Sequence, residues 1–179
     1  MKPARIFLLC GSSGSGKTTT LLRLLERLKP LKLDCRGIIC PPGFTNDEKT
    51  YIEIMDVASG ETRRLAEINN DQTNTLATAR WKLAPRAVDW GNLILQRSTP
   101  CQILFVDEIG PIEFDRGEGL VEGFNVIDKR DYQVAMVTIR PSLLEKALQR
   151  WPEARVIQVD RENQPAAIDR LYNEAVATA

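Results

Sequence analysis

The sequence predicts an α/β fold, in which a mostly parallel β-sheet carries helices on both faces. Apolar runs of buried-strand length at 6–10, 101–106 and 133–138 alternate with amphipathic segments of helical period. The first run continues into a glycine-rich turn and then a helix, as in a βα unit. A chain of 179 residues fits one ordinary domain, so we expect a single domain over 1–179.

Composition narrows the class of protein. The chain is 43% hydrophobic and 27% charged, and no stretch approaches the roughly 20 apolar residues of a membrane helix. Its 24 Lys and Arg balance 24 Asp and Glu, which leaves no bulk field to gather nucleic acid. The amino terminus has no secretory pattern. We therefore predict a cytoplasmic protein that binds neither membranes nor, by bulk charge, nucleic acid.

Cysteine and histidine usage limits the chemistry. The four cysteines form no CxxC pair, and most lie in or beside apolar runs, where a reduced thiol packs as a small hydrophobe. The sequence has no histidine, which removes the commonest zinc ligand and every scheme with a histidine base. A general base must therefore be a carboxylate or a lysine.

Four helices and their inward faces follow from the periodicity. We predict helices over Lys17–Lys29, over Pro85–Arg97, from Pro141 onward, and over about Asn163–Val176. A strand over Cys35–Cys40 is expected to break at the next two prolines. The inward positions of the second helix are predicted as Val88, Leu93, Ile94 and Leu95, and those of the third as Leu143, Leu144, Ala147, Leu148 and Trp151.

Residues 50–67 change the pattern. Strand-like runs at 51–57 and 61–65 are joined through Ala58-Ser59-Gly60, which predicts an antiparallel β-hairpin inserted in the domain or lying at an edge of the sheet. Residues 69–79 are polar and without period, so we expect a surface loop there.

The segment Gly11-Ser12-Ser13-Gly14-Ser15-Gly16-Lys17-Thr18 matches the phosphate-binding pattern G-x-x-x-x-G-K-[ST], the Walker A motif. Glycines let successive amides turn inward around a phosphate, and the helix that follows adds the positive end of its dipole. Lys17 can reach the outer phosphates, and the Thr18 hydroxyl can hold Mg²⁺. We predict that Gly11, Ser12, Ser13, Gly14, Ser15, Gly16, Lys17, Thr18 and Thr19 bind a nucleoside triphosphate.

A second buried strand, 101–106, ends in Asp107-Glu108, the pattern of a Walker B motif. Asp107 suits the shell of a Mg²⁺ ion, bound directly or through water. Glu108 can polarise a water for attack on the γ-phosphate, so Glu108 and Lys17 are the predicted catalytic residues. Glu113 either joins the site or faces solvent.

Other side chains have two interpretations. An arginine that neutralises the transition state would come from Arg63, Arg64, Arg116 or Arg140, although exposed and solvated arginines are the favoured interpretation of each. Arg140 is the best candidate, because it follows the strand at 133–138. The tryptophans Trp81, Trp90 and Trp151 fit core or interface positions better than base stacking.

The segment Val106-Asp107-Glu108-Ile109-Gly110-Pro111-Ile112-Glu113 resembles the signature of the small nucleoside-triphosphatases of the thermophilic type, which include the cancer-related nucleoside-triphosphatase. The resemblance extends over most of the chain. It implies a RecA-like P-loop domain that slowly converts several nucleoside triphosphates to diphosphates with Mg²⁺ and little base preference. The chain departs from the family at Lys49–Ile52, where an Arg and a Gly-Phe are expected, and at Pro111, where a lysine is usual.

The leading hypothesis is a Mg²⁺-dependent nucleoside-triphosphatase that releases diphosphate and phosphate. One alternative is a nucleotide or small-molecule kinase, which the lack of a compact arginine-rich lid disfavours. Another is an accessory module in which the nucleotide switches the hairpin or the 69–79 loop for a protein partner.

Overall fold

The computed structural model describes residues 3–69 and 80–177, so the predicted loop lies outside the described residues apart from Asn69. Five α-helices are found there: α1 Lys17–Leu28, α2 Pro85–Gln96, α3 Glu122–Asp128, α4 Leu144–Arg150 and α5 Gln164–Val176. The strands are β1 Arg5–Cys10, β2 Cys35–Ile39, β3 Pro42–Thr45, β4 Glu48–Asp56, β5 Thr62–Ile68, β6 Trp81–Leu83, β7 Cys101–Val106, β8 Tyr132–Ile139 and β9 Arg155–Gln158.

The described strands form a single mixed sheet in the order β6-β5-β4-β2-β7-β8-β1-β9, with β3 paired to β4. The pairs from β2 through β7, β8 and β1 to β9 are parallel, so their carboxyl ends share one edge of the sheet. The pairs that involve β3, β4, β5 and β6 are antiparallel. Residues at the carboxyl ends of the parallel strands can therefore bind a ligand together at one edge of the sheet. The antiparallel strands extend the sheet on the other side of β2.

Each face of the sheet is covered by its own apolar cluster. Helices α1 and α5 pack on one face through Leu21, Leu24 and Leu171. The opposite face is covered by α2, α3 and α4, where the buried Trp151 indole donates to Asp128 Oδ1 at 2.8 Å. The α/β architecture predicted from the sequence, with helices on both faces, is confirmed.

The predicted hairpin is also confirmed, because β4 and β5 pair antiparallel and lie with β6 at one side of the sheet. The strand at 35–40 ends before the prolines as predicted, because β2 runs over Cys35–Ile39; β3, which was not predicted, begins at Pro42 and pairs with β4. One local prediction is wrong. Leu93 does not face inward on α2 but is 46% exposed, because Gly91 packs toward the core between Ile54 and Leu120. Among the described helices none is long and apolar enough to cross a bilayer.

Candidate functional site

The phosphate-binding pattern lies between β1 and α1 and adopts a turned backbone. Gly14 and Gly16 have φ values of +79° and +100°, a region that side-chain-bearing residues rarely adopt. The Ser15 amide donates to Ser12 O at 3.2 Å, which closes the turn. Ser15 Oγ is buried, and within the described residues it has no hydrogen-bond partner. Within the part of the chain that the structure describes, the loop therefore holds a polar oxygen without a hydrogen-bond partner inside a turn shaped by glycines.

The first turn of α1 opens onto this loop. The first bond of the helix ladder runs from the Thr20 amide to Gly16 O at 2.8 Å, so the amides of Lys17, Thr18 and Thr19 have no acceptor within the helix. Free amides at a helix amino terminus attract anions. Lys17 is only 6% exposed, and its ammonium donates to Gly11 O at 2.6 Å and Ser12 O at 3.0 Å. The lysine thus lies across the mouth of the loop, at the position expected for phosphate contact.

The carboxyl-terminal part of the chain supports the loop. Gln164, the first residue of α5, donates from Nε2 to Gly16 O at 3.0 Å and accepts from Arg23 on α1. A Cβ built on Gly11 would lie 2.4 Å from Val159 O. Because backbone on that side leaves no room for a side chain, Gly11 is required by close packing rather than by its φ angle.

Asp107 follows β7 and is 1% exposed. Its Oδ2 accepts from the Cys40 amide at 3.0 Å, and its Oδ1 accepts from Thr138 Oγ1 at 2.5 Å. Desolvation by burial raises the pKa of Asp107, while hydrogen bonds from Thr138, Cys40 and Thr18 partly counter the rise. The contact with Thr18 brings the two predicted Mg²⁺ ligands together.

Glu108 is paired with Arg140. Arg140 Nε donates to Glu108 Oε1 at 2.6 Å, and both side chains are partly exposed to the cavity above the sheet. Of the four arginines considered from the sequence, Arg140 lies at this edge. The others pair with surface carboxylates: Arg63 with Glu61, Arg64 with Glu67 and Arg116 with Glu118.

The two interpretations of Glu113 are resolved by its contacts. The side chain is 7% exposed, so it does not face solvent. Its Oε2 accepts from the Gly110 amide at 2.8 Å and its Oε1 from the Leu120 amide at 2.9 Å. Burial raises the pKa of Glu113, and those amide bonds oppose the rise. The carboxylate therefore holds the segment after Glu108 in place, beside the cavity.

A cavity of about 460 Å³ joins these groups. It begins at the phosphate loop, passes Asp107 and Glu108, and ends against the antiparallel strands β4, β5 and β6. That size and its mixed polar and apolar lining are typical of a small-molecule site. The loop, the acids and Arg140 thus share one cavity.

Four further groups border or support this cavity and were not selected from the sequence. Lys49 lies on β4, Arg161 precedes α5, and Cys40 and Thr138 hold Asp107. Lys49 Nζ is 5.2 Å from the ring centre of Trp81, which also borders the cavity. No local pattern in the sequence marked these four groups as part of a site, because sheet order, not a run of residues, brings them to the cavity.

The arrangement can accept a hydrated divalent cation beside a phosphate. Across 3–69 and 80–177 no three acidic or thiol side chains converge on one point, so a cation would rest on few protein oxygens. Mg²⁺ in nucleotide sites takes few carboxylates and completes its shell with water and phosphate oxygens. The neighbouring Thr18 hydroxyl and Asp107 carboxylate fit that requirement.

Comparisons with known proteins agree with this geometry. The model of a protein family described as NTPase matches residues 6–174. A nucleoside-triphosphatase THEP1 from Caldivirga maquilingensis is 24% identical over 168 residues, which cover 91% of this chain and 90% of that protein.

Two solved structures share the fold. The solution structure of a human cancer-related nucleoside triphosphatase aligns with a TM-score of 0.71 at 16% identity, covering 98% of this chain and 99% of that one. The crystal structure of THEP1 from Aquifex aeolicus aligns with a TM-score of 0.65 at 18% identity, covering 93% and 96%. At these identities the structures support the fold alone.

Proposed function

Since the chain belongs to the NTPase family, we propose that it hydrolyses nucleoside triphosphates to diphosphate and phosphate in the cavity between the phosphate loop and Glu108. The observation that carries the proposal is the shared cavity of Lys17, Asp107 and Glu108. A phosphate site alone would fit any nucleotide-binding protein. A partly exposed carboxylate next to the phosphate end adds a group that can act on water.

Binding would use the residues predicted from the sequence. Gly11 to Thr19 would surround the phosphates, with the amides of the first turn of α1 facing the anion. Lys17 would turn from Gly11 O and Ser12 O to the outer phosphates, which offer stronger, charge-assisted bonds. Broad base preference is part of this proposal, and turnover of each common triphosphate tests it.

Mg²⁺ would be held by Thr18 and, directly or through water, by Asp107. When bound, the ion neutralises charge on the β- and γ-phosphates. Asp107 is prepared for this role by Thr138 and Cys40, which fix both carboxylate oxygens. Its burial makes an unneutralised negative charge costly, so a neighbouring cation is favoured.

Hydrolysis would depend on Glu108. The carboxylate orients a water and accepts its proton as the water oxygen bonds to the γ-phosphorus and the bond to the leaving diphosphate breaks. Arg140 would position Glu108 and place positive charge next to the phosphoryl group. Without His the base must be a carboxylate or a lysine, and Glu108 is the partly exposed carboxylate of the cavity.

The test is turnover by purified protein with each common triphosphate, with and without Mg²⁺. Glu108→Gln should lower kcat at least about a hundredfold and leave nucleotide affinity within about threefold. Glu118→Gln, on an exposed residue that pairs with Arg116, is the matched control. Unchanged turnover in Glu108→Gln, or no phosphate release by the wild type, would contradict the proposal. The cytoplasmic location and any protein partner stay predictions.

A further inference from the structure

The cavity extends beyond the acidic residues. Sheet order places β1, which leads into the phosphate loop, two strands from β7, and β7 next to β2; β4, β5 and β6 follow on the far side. Along the edge of the sheet the cavity therefore runs from phosphate loop to acids to hairpin. A phosphate tail held at the loop with its outer end at Glu108 would leave the hairpin end, on the far side of the acids, for another group. This placement of the nucleotide, with its phosphates at the loop and its outer phosphate at Glu108, rests on the proposed function.

The hairpin end has a different character from the loop end. Its walls are the apolar side chains of Ile52, Leu65, Ala66 and Leu83, with Trp81 and Phe44 at its border. Phe44 is 58% exposed, the highest value among the large exposed apolar residues described. An exposed aromatic ring at the rim of an apolar cavity is typical of a ligand site rather than of a solvated surface.

Lys49 places a positive charge in this apolar end, and Arg80 lies beside it, 5.2 Å from the ring centre of Trp81. Lys49 is half-buried on β4 and lies near Glu108 and Asp107, which stabilise its charge only in part. Burial, followed by the repulsion of Arg80, lowers the pKa of Lys49. A half-buried ammonium above an apolar floor is stabilised by an anion that brings its own apolar body.

We propose that the hairpin end of the cavity is a second ligand site, which binds a small aromatic anion beside the reacting phosphate. The aromatic part would contact Phe44 and Leu83, and the anionic group would pair with Lys49. Nucleotide and aromatic anion would occupy the cavity together, from opposite ends.

The probe is 2-naphthoate, with neutral 2-naphthamide as its matched comparison, titrated calorimetrically into the full chain without nucleotide. We expect saturable one-to-one binding, with naphthoate about fivefold or more tighter than naphthamide. Lys49→Met should remove that preference. Lys82→Met is the control, because Lys82 is exposed on β6 and alternates with the cavity-facing Trp81 and Leu83.

A second variant tests the apolar wall without disturbing the core. Phe44→Ala should weaken the binding of both probes about threefold or more. Because Phe44 is exposed, its removal leaves no buried cavity in the core. Leu93→Ala, an exposed apolar residue on α2, is its control. Absence of saturable binding, or binding that neither Lys49→Met nor Phe44→Ala changes, would overturn the proposal.

Simultaneous occupancy separates this proposal from the hydrolase. With a non-hydrolysable Mg²⁺-triphosphate analogue present, naphthoate should still bind, with an affinity within about fivefold. Full competition would overturn a second site. The Lys17→Ala variant should no longer bind the nucleotide but should still bind naphthoate. Naphthoate binding can therefore be measured even if nucleotide binding fails.

Discussion

Arg140 Nε lies 2.6 Å from Glu108 Oε1, and the two residues follow the neighbouring strands β8 and β7. One carboxylate oxygen of Glu108 is therefore engaged by the guanidinium. Because both side chains keep partial exposure, the pair can rearrange without opening the core. In the proposed reaction this contact orients the base and keeps positive charge beside the phosphate.

Arg140→Ala should lower kcat about a hundredfold, since it removes both the orientation of Glu108 and the nearby charge. Arg140→Lys should recover part of the rate but not the geometry of the guanidinium bond. Steady-state kinetics on each triphosphate measures both. Arg116→Ala, at an exposed pair with Glu118, is the control. If the Arg140→Ala variant had an unchanged kcat and pH profile, the contact between Arg140 and Glu108 would have no role in the reaction.

Lys17→Ala should weaken nucleotide binding and lower kcat/KM about a hundredfold or more, because the loop loses its point charge. Fluorescent-nucleotide titration and phosphate release measure the two effects. Lys29→Ala is the comparison, since Lys29 follows α1 and pairs with Glu26 in solvent. Retained affinity in Lys17→Ala would place the phosphates elsewhere.

Glu113→Ala should lower the free energy of unfolding by about 2–3 kcal/mol, because the Gly110 and Leu120 amides lose their acceptor. Urea denaturation measures the change. Glu118→Ala, which alters an exposed ion pair, should change stability by less than about 0.5 kcal/mol. Equal effects of the two substitutions would contradict a structural role for Glu113.

Asp107→Asn should raise Tm by about 2–4 °C without nucleotide, while abolishing Mg²⁺-dependent turnover. Burial raises the pKa of Asp107 above its ordinary 3.8, so the folded state binds a proton that the unfolded state has released. Between these two pKa values stability therefore falls as pH rises.

Thermal scans from about pH 3.5 to 8 test the sign of this effect. The fall in wild-type stability with rising pH should be smaller in Asp107→Asn, because the amide that replaces the carboxyl group carries no titrating proton. Asp115→Asn, at an exposed pair with Lys146, is the control. A Tm lowered by Asp107→Asn at every pH would show that the carboxylate stabilises the empty site.

The sequence predicted those parts of the site that are local in the chain. Gly11 to Thr18 and Asp107-Glu108 carry their own patterns, in which spacing and strand context are enough. Lys49, Thr138 and Arg161 have no such pattern. They reach the cavity because sheet order brings β4, β8 and the turn before α5 to one edge, and that order is not written in any local run of residues.

The fold, too, could be predicted only where the signal lies within one local run of residues. Long apolar runs such as β7 and the periodic helix α1 were predictable because burial on one or two faces dictates their composition. Strand β3 begins at Pro42, where a proline argues for a break, and it forms because β4 supplies the pairing partner. Strand β6 and helix α3 are too short for periodicity to identify.

The phosphate loop is supported by Val159 and Gln164, which lie about 150 positions beyond it in the chain. During synthesis the glycine-rich turn therefore emerges about 150 residues before the segments that support it. A nascent chain acquires the turn well before it can hold that turn in shape.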